Sequence, residues 1–242
     1  YTPEAQPFTY GDTEVRNVIA TRQGSDPERV IVGAHYDSCG NPGADDNASG
    51  VAGLLELARL SAASSPRRTL MFIAFANEEP PFFYTDAMGS RFYTKAAKAK
   101  GERIRTALIL ESIGYYSDAP NSQHYPPLLG FFYPNTGHFI GVVSNLRYGA
   151  LAREVTRAFK RHSDFPVESA VMPEFIQGVS WSDQWSFWRE GYPAVMITDT
   201  AFLRNPNYHQ ATDTWDTLDY ARLARVVEGL SGVVTELAGV TR

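Results

Sequence analysis

His35-Tyr-Asp37-Ser-Cys-Gly-Asn-Pro-Gly-Ala-Asp-Asp46-Asn-Ala-Ser-Gly50 is the stretch on which the fold turns. The apolar run Val30-Ile-Val-Gly-Ala34 leads into it, and Val51, Leu54, Leu55 and Ala58 lead out at helical spacing. A buried strand is therefore expected to end at His35, with a polar loop after it and a helix from about Ser49. Open α/β sheets bind ligands at the carboxyl ends of their strands, which is where this loop falls. His35 and Asp37 lie two residues apart, so in extended chain they share a face, and Asp37 is placed to hold the His35 imidazole in one tautomer. A plain βα loop with a helix cap also suits these Asp, Asn, Ser and Gly residues, and the loop alone does not separate the two readings.

The rest of the chain repeats the theme. Thr69-Leu-Met-Phe-Ile-Ala-Phe75 reads as a strand buried on both faces, and it runs into Ala76-Asn-Glu78-Glu79-Pro-Pro. Adjacent carboxylates at a buried strand end are costly unless paired or metal-bound, although an exposed Glu-Glu turn would also fit. Ile104 to Leu110 is a further strand, and Glu111-Ser-Ile-Gly114 follows it. Three successive strands thus each deliver an acid or an imidazole at the carboxyl end. In a parallel βαβ arrangement those groups converge on one sheet edge.

Around this core, Val15 to Thr21 reads as a strand that forms an edge hairpin with the Val30 strand across Gln23-Gly-Ser-Asp-Pro27. Residues 1–14 read as a polar, Pro-containing entry arm. The Pro- and Tyr-rich segment 115–137 is a long loop. Phe139 to Ser144, Val167 to Val171 and Ala194 to Thr198 are strands, Leu151 to His162 is a helix, and Asp183 to Glu190 is a short aromatic helix. Leu223, Val226, Val227, Leu230, Val233, Val234 and Leu237 make the last helix amphipathic, with Asp219 as its N-cap.

The length of 242 residues fits one large α/β domain or two small ones, here read as one over 1–242, and 43% hydrophobic content is enough for a core. A net charge of −5 with no Lys/Arg cluster on any predicted helix argues against nucleic acid. No apolar run approaches the length of a membrane span. The single cysteine, Cys39, excludes an internal disulfide. The start at Tyr1 rather than Met reads as a processed or trimmed product.

The candidate metal ligands are His35, Asp46, Glu79, Glu111 and His209. Zinc takes imidazole nitrogen and carboxylate oxygen, and one bridging acid with two further donors on each side satisfies a pair of ions. Glu78 is then the spare carboxylate, suited to act as general base toward a metal-held water.

These motifs resemble those of the M28 family of zinc-dependent exopeptidases, the di-zinc aminopeptidase type. His35-Tyr-Asp37-Ser resembles the first metal motif, and Gly43-Ala-Asp-Asp46-Asn-Ala-Ser-Gly50 the bridging-aspartate loop. Ala76-Asn-Glu78-Glu79 resembles the paired-glutamate motif, and Leu110-Glu111-Ser-Ile-Gly114 the fourth-ligand segment. Tyr208-His209-Gln-Ala-Thr-Asp213-Thr resembles the last motif. The match runs from about Val15 to Leu237. The resemblance implies a three-layer α/β/α domain with a mixed, mostly parallel sheet. It also implies two zinc ions, one on His35, Asp46 and Glu111 and the other on Asp46, Glu79 and His209. Glu78 is then the base, Asp37 orients His35, and Tyr208 polarises the substrate carbonyl or stabilises the oxyanion. A cis Asp46–Asn47 bond, a peptide substrate with a free N-terminus, and an exported location, periplasmic or secreted, complete what it implies.

Two positions depart from the family pattern. Glu111 stands where the best-studied members have aspartate, and Asp183-Gln184 where relatives often have Asp-His. Phe83, Tyr115 and Trp181 are candidates for the substrate side-chain pocket, against a role in aromatic core packing. Alternatives to an aminopeptidase are a single-zinc glutaminyl cyclase, a carboxypeptidase-type relative, for which Arg91, Arg147 or Arg204 would supply the cation, and a noncatalytic binding domain.

Overall fold

The apolar run before His35 becomes the middle of an eight-stranded sheet. A computed structural model of the chain describes residues 1–127 and 129–240. Its strands are β1 (Glu4–Tyr10), β2 (Thr13–Arg22), β3 (Asp26–His35), β4 (Arg68–Phe75), β5 (Ile104–Glu111), β6 (Ile140–Ser144), β7 (Val167–Val171) and β8 (Ala194–Thr198). The helices are α1 (Gly50–Ser61), α2 (Gly89–Ala99), α3 (Gly149–His162), α4 (Gln184–Arg189) and α5 (Tyr220–Ala238). The strand order is β1-β2-β4-β3-β5-β8-β6-β7. Strands β4, β3, β5 and β8 are mutually parallel, so their carboxyl ends share one edge. The sheet as a whole is mixed, because β1, β2 and β6 make antiparallel pairs.

Alternation along the central strands divides the core into two layers. Val30, Val32 and Ala34 of β3, Leu108 and Leu110 of β5, and Val195 and Ile197 of β8 pack with α1, α3 and α5 on one face. Ile31, Ala107, Ile109, Ala194 and Met196 pack on the other with Tyr93 and Ala97 of α2 and Phe187 and Trp188 of α4. A strand buried on both faces needs apolar residues at every position, which is what these sequences supply. Gly33 interrupts the run because the Phe75 ring lies against it: an added Cβ would come within 2.6 Å of a ring carbon. Asp219 caps α5 as expected, accepting the Arg222 N–H at 2.9 Å.

Two expectations give way. The β2–β3 hairpin does not form, because β4 inserts between the two strands and pairs with both. β3 is apolar on both faces and takes a partner on each edge, β4 and β5, which makes it a central strand. Residues 1–14 are not an arm but contain β1, paired along its whole length with β2. Pro7 is tolerated there because β1 is the edge of the sheet. The long loop between β5 and β6 lies as expected, with residue 128 outside the described residues, as are 241 and 242 at the end of the expected domain. Among the described residues no helix is long and apolar enough to cross a membrane.

Candidate metal centre

The parallel strands deliver their terminal side chains to one point. His35 ends β3 and Glu111 ends the neighbouring β5; both are buried. Asp46 sits in a kinked turn over residues 44–49, entered through Gly43 at φ 63°. A Cβ on Gly43 would lie 2.7 Å from the Asp46 carbonyl oxygen, so the tight approach requires glycine as well as the left-handed backbone. Asp213, in the same loop as His209, fixes the turn: its carboxylate accepts the Asp45 N–H at 2.9 Å and the Asp46 N–H at 3.2 Å. The Asp46–Asn47 peptide is cis, as expected.

Asp46 divides its two oxygens between two imidazoles. Oδ1 lies 3.1 Å from His35 Nε2 and Oδ2 lies 3.0 Å from His209 Nε2. His35 Nε2 is also 3.3 Å from Glu111 Oε2, and His209 Nε2 is 3.3 Å from Glu79 Oε2. Two donors held at about 2.0–2.1 Å by a tetrahedral ion lie about 3.3 Å apart, so these spacings suit metal ligands. Among the described residues, His35, Asp46 and Glu111 form one group able to hold an ion, and Glu79, His209 and Cys39 form another. His35 Nε2, Asp46 Oδ1, Glu79 Oε1 and His209 Nε2 are buried without hydrogen-bond partners. Unsatisfied polar atoms are costly, and four of them on the residues of the two ligand groups fit cationic occupants. The remaining His124, His138 and His162 belong to neither group.

Asp37 has two tasks. His35 Nδ1 lies 3.2 Å from the Asp37 carbonyl oxygen and 3.6 Å from its carboxylate. The carbonyl can only accept, so Nδ1 carries the hydrogen in the neutral ring and Nε2 turns its lone pair toward Asp46 and Glu111. The carboxylate itself accepts the Glu78 N–H at 3.1 Å and the Glu79 N–H at 3.0 Å. Asp37 thereby sets the paired-glutamate segment, which β4 enters through Asn77 at φ 58°. Glu78 is buried with its Oε2 4.0 Å from His35 Nε2, close to the cage but in neither ligand group.

Protein charges alone leave too many carboxylates here. Burial, reinforced by Glu111, Asp183 and Asp46, raises Glu78 well above the carboxyl range against the pull of His35. Burial likewise raises Glu111 to about 7, with Asp46 adding to it and His35 opposing. Burial works to lower His35, but Glu111 and Glu78 outweigh it and hold the imidazole well above its ordinary value. The carboxylates of Asp46 and Glu79, 3.0 and 3.3 Å from its Nε2, push His209 up to about 10. The cage thus retains protons where a divalent cation would take their place, so metal binding should release protons.

Several supporting residues have tasks that the sequence reading did not assign. Ser182 Oγ donates to Glu111 Oε2 at 2.6 Å. Asn47 is buried and ties the Asp46 turn to β5: its amide donates to the Leu110 carbonyl at 2.9 Å, and its oxygen accepts the Ser112 N–H at 3.0 Å and the Gly50 N–H at 3.2 Å. Asn47→Ala removes three hydrogen bonds to buried backbone groups and is expected to cost about 2–4 kcal/mol, read as a lowered urea midpoint with unchanged slope. Asp183 is fully buried behind Glu78, with burial raising it to about 6. Gln184, in the departing pair, donates to the Val179 carbonyl at 3.1 Å and so holds the adjacent turn.

A cavity of roughly 820 Å3, counting its open mouth, begins at Glu111 and Tyr208. Val143, Ile176, Val179, Trp181, Met196 and Phe202 give it an apolar wall. Of the three pocket candidates, Trp181 lines it; Phe83 stacks on Tyr84 at 4.2 Å, and Tyr115 spends its N–H on Asp199 at 2.8 Å, neither being part of the wall. Tyr208 stacks on His209 with ring centroids 4.0 Å apart. Burial first, then Asp46 and Glu111, raise its phenol, so it keeps its proton and remains a donor.

An α/β/α domain with an aspartate between two imidazole–carboxylate groups, beside an apolar cavity, has the form of a metalloenzyme. The model for the family described as peptidase family M28 matches residues 17–234, and the chain belongs to that family. It is 42% identical over 239 residues to the uncharacterised protein YfbL of Escherichia coli, spanning 95% of this chain and 72% of that protein. A probable leucine aminopeptidase of Trichophyton verrucosum is 28% identical over 91% of this chain and 57% of its own length. The chain therefore spans little more than half of that curated relative. Among solved structures, an aminopeptidase from Aneurinibacillus sp. strain AM-1 superposes with a TM-score of 0.71 at 25% identity, covering 93% of this chain and 48% of that one. The glutaminyl cyclase of Macrostomum lignano shares the fold, with a TM-score of 0.75 at 19% identity over 99% of this chain and 78% of that one.

Proposed function

We propose that this chain is a metal-dependent aminopeptidase that removes N-terminal residues from peptides at a pair of zinc ions. The observation that carries the reading is the division of the Asp46 carboxylate between His35 and His209, at 3.1 and 3.0 Å. His35, Asp46 and Glu111 would hold one ion, and Asp46, Glu79 and His209 the other. When bound, the ions supply Lewis acidity toward the scissile carbonyl and a water acidic enough to deprotonate near neutral pH.

The protein's own groups do the rest. Glu78 accepts the proton of the attacking water at its carboxylate and returns it to the leaving amine. Asp37 holds Glu78 in place through its N–H. The Tyr208 hydroxyl is a donor toward the carbonyl oxygen as negative charge develops there. The acidic surroundings suit the free amino group of a peptide, and the cavity beside Glu111 suits an apolar first side chain. The lining of that cavity includes no Lys or Arg among the described residues, which favours an amino-terminal over a carboxyl-terminal substrate. Arg91 pairs with Glu190 at 3.0 Å, and Arg204 is buried on Gln123 and the Phe139 carbonyl.

Elemental analysis with hydrolysis of leucine p-nitroanilide tests the reading. Two zinc ions per chain and hydrolysis are expected. Chelation should abolish hydrolysis, and zinc should restore it. Each ion present at a thousand times its Kd contributes about 4 kcal/mol, so chelation of both should lower the Tm by roughly 20 °C for a chain of this size. One ion per chain with cyclisation of N-terminal glutamine would replace this reading with the cyclase. No metal after zinc reconstitution would remove it.

A further inference from the structure

The second ligand group contains a residue that the zinc assignment does not use. Cys39 Sγ, a carboxylate oxygen of Glu79 and a ring nitrogen of His209 all lie within 4.8 Å of one another. Cys39 is half-buried, on the loop that follows the Asp37 motif. That loop is fastened across the site: Asn41 donates to the Gln210 carbonyl, beside His209, at 3.4 Å, and Ser38 Oγ donates to the Asn41 carbonyl at 3.1 Å. Independently of the thiol, Glu79 is only 4% exposed and its Oε1 has no hydrogen-bond partner. A buried carboxylate with one oxygen left open, grouped with a sulfur and an unpartnered imidazole nitrogen, points to an occupant that all three residues can ligate.

We propose that Cys39 is a fourth protein ligand to the metal held by Asp46, Glu79 and His209. The proposal rests on the di-metal reading above. As the metal–sulfur bond forms, the thiol proton leaves to solvent and the sulfur binds as thiolate. Zinc–sulfur bonds of about 2.3 Å and zinc–nitrogen bonds of about 2.0–2.1 Å make donor–donor edges of about 3.5 Å, so the sulfur needs to close by about 1.3 Å at most. The two sites then differ in kind. Cys39 completes four protein donors on the His209 side, the composition of a closed tetrahedral site, while the His35 side has three and keeps an open position. The open position falls on the side that Glu78 faces, 4.0 Å from His35 Nε2. A soft thiolate also biases the closed site toward zinc or cobalt and away from magnesium and manganese.

Cys39 is the only cysteine in the chain, so a thiol reagent reports on it alone. Metal-free protein is titrated with zinc and challenged with dithionitrobenzoate, and in parallel with cobalt(II) while absorbance is followed. The thiol is expected to react in the metal-free chain and to stop reacting once the His209 site fills. Cobalt there should bring a near-ultraviolet thiolate-to-metal charge-transfer band, absent in Cys39→Ser. Cys39→Ala should bind its second zinc about 10- to 100-fold more weakly. Two bound metals with an unprotected thiol, or protection without the cobalt band, would overturn the Cys39 assignment and leave the aminopeptidase reading intact. Failure to bind any metal would remove both.

Discussion

Glu78→Gln is expected to keep both metals and lose turnover by about 100- to 10,000-fold, the range of a lost general base. The amide matches the carboxylate in size, and the backbone N–H of residue 78 still donates to Asp37. What changes is the ability to accept a proton. Glu78 belongs to neither ligand group, so metal content should stay at two per chain. The KM for an aminoacyl substrate should change little, because the loss is confined to the transition state. Glu79→Gln is the contrasting case: Glu79 Oε2 lies 3.3 Å from His209 Nε2, and the variant should lose the second ion along with activity. Metal analysis of the two variants side by side checks the assignment. A metal-depleted Glu78→Gln and a metal-replete Glu79→Gln would mean that the two glutamates have exchanged roles.

The sequence carried the parallel centre of the fold and the points where its strands end, because both leave strong local marks. β3, β4, β5 and β8 are largely apolar at their centres, and each gives way to polar residues at its carboxyl end. The edges were less legible. In β1 only Phe8 is buried, so its pattern resembles a polar arm, and Pro7 strengthens that impression. The Gln23–Pro27 segment has the composition of a hairpin turn, but turn chemistry is local, whereas the choice of neighbour depends on which strand best covers β3. Long-range polar contacts were the least legible part of the site. Asp213 reaches the Asp46 turn from 167 residues away, and Ser182 reaches Glu111 from 71. Neither has a spacing that marks it. Asp213 lies in the His209 motif, and the two N–H groups it accepts define its task. Asp37 shows a related gap: the two-residue spacing points to His35, but its carboxylate goes to backbone N–H groups 41 and 42 residues on.

Asp46→Ala should remove both ions at once, taking the chain from two metals to none and hydrolysis to the uncatalysed level. Any other single ligand serves one group, whereas Asp46 serves both, at 3.1 Å from His35 and 3.0 Å from His209. The turn that carries it should survive the change. Asp213 holds that turn through backbone N–H groups, and Asn47 ties it to β5, so no part of this support uses the Asp46 side chain. The variant's thermal midpoint should therefore lie near that of chelated wild-type protein, and added zinc should not raise it. A second readout follows from charge. The nearby Asp46 and Glu79 carboxylates push His209 up to about 10, and the Asp46 carboxylate favours the charged ring. With that negative partner gone the pKa must fall, toward the ordinary histidine value of about 6.5, visible in the imidazole NMR titration of the metal-free chain. An Asp46→Ala variant that still bound two zinc ions would show that the two groups are filled independently, and the shared-aspartate centre would have to be abandoned.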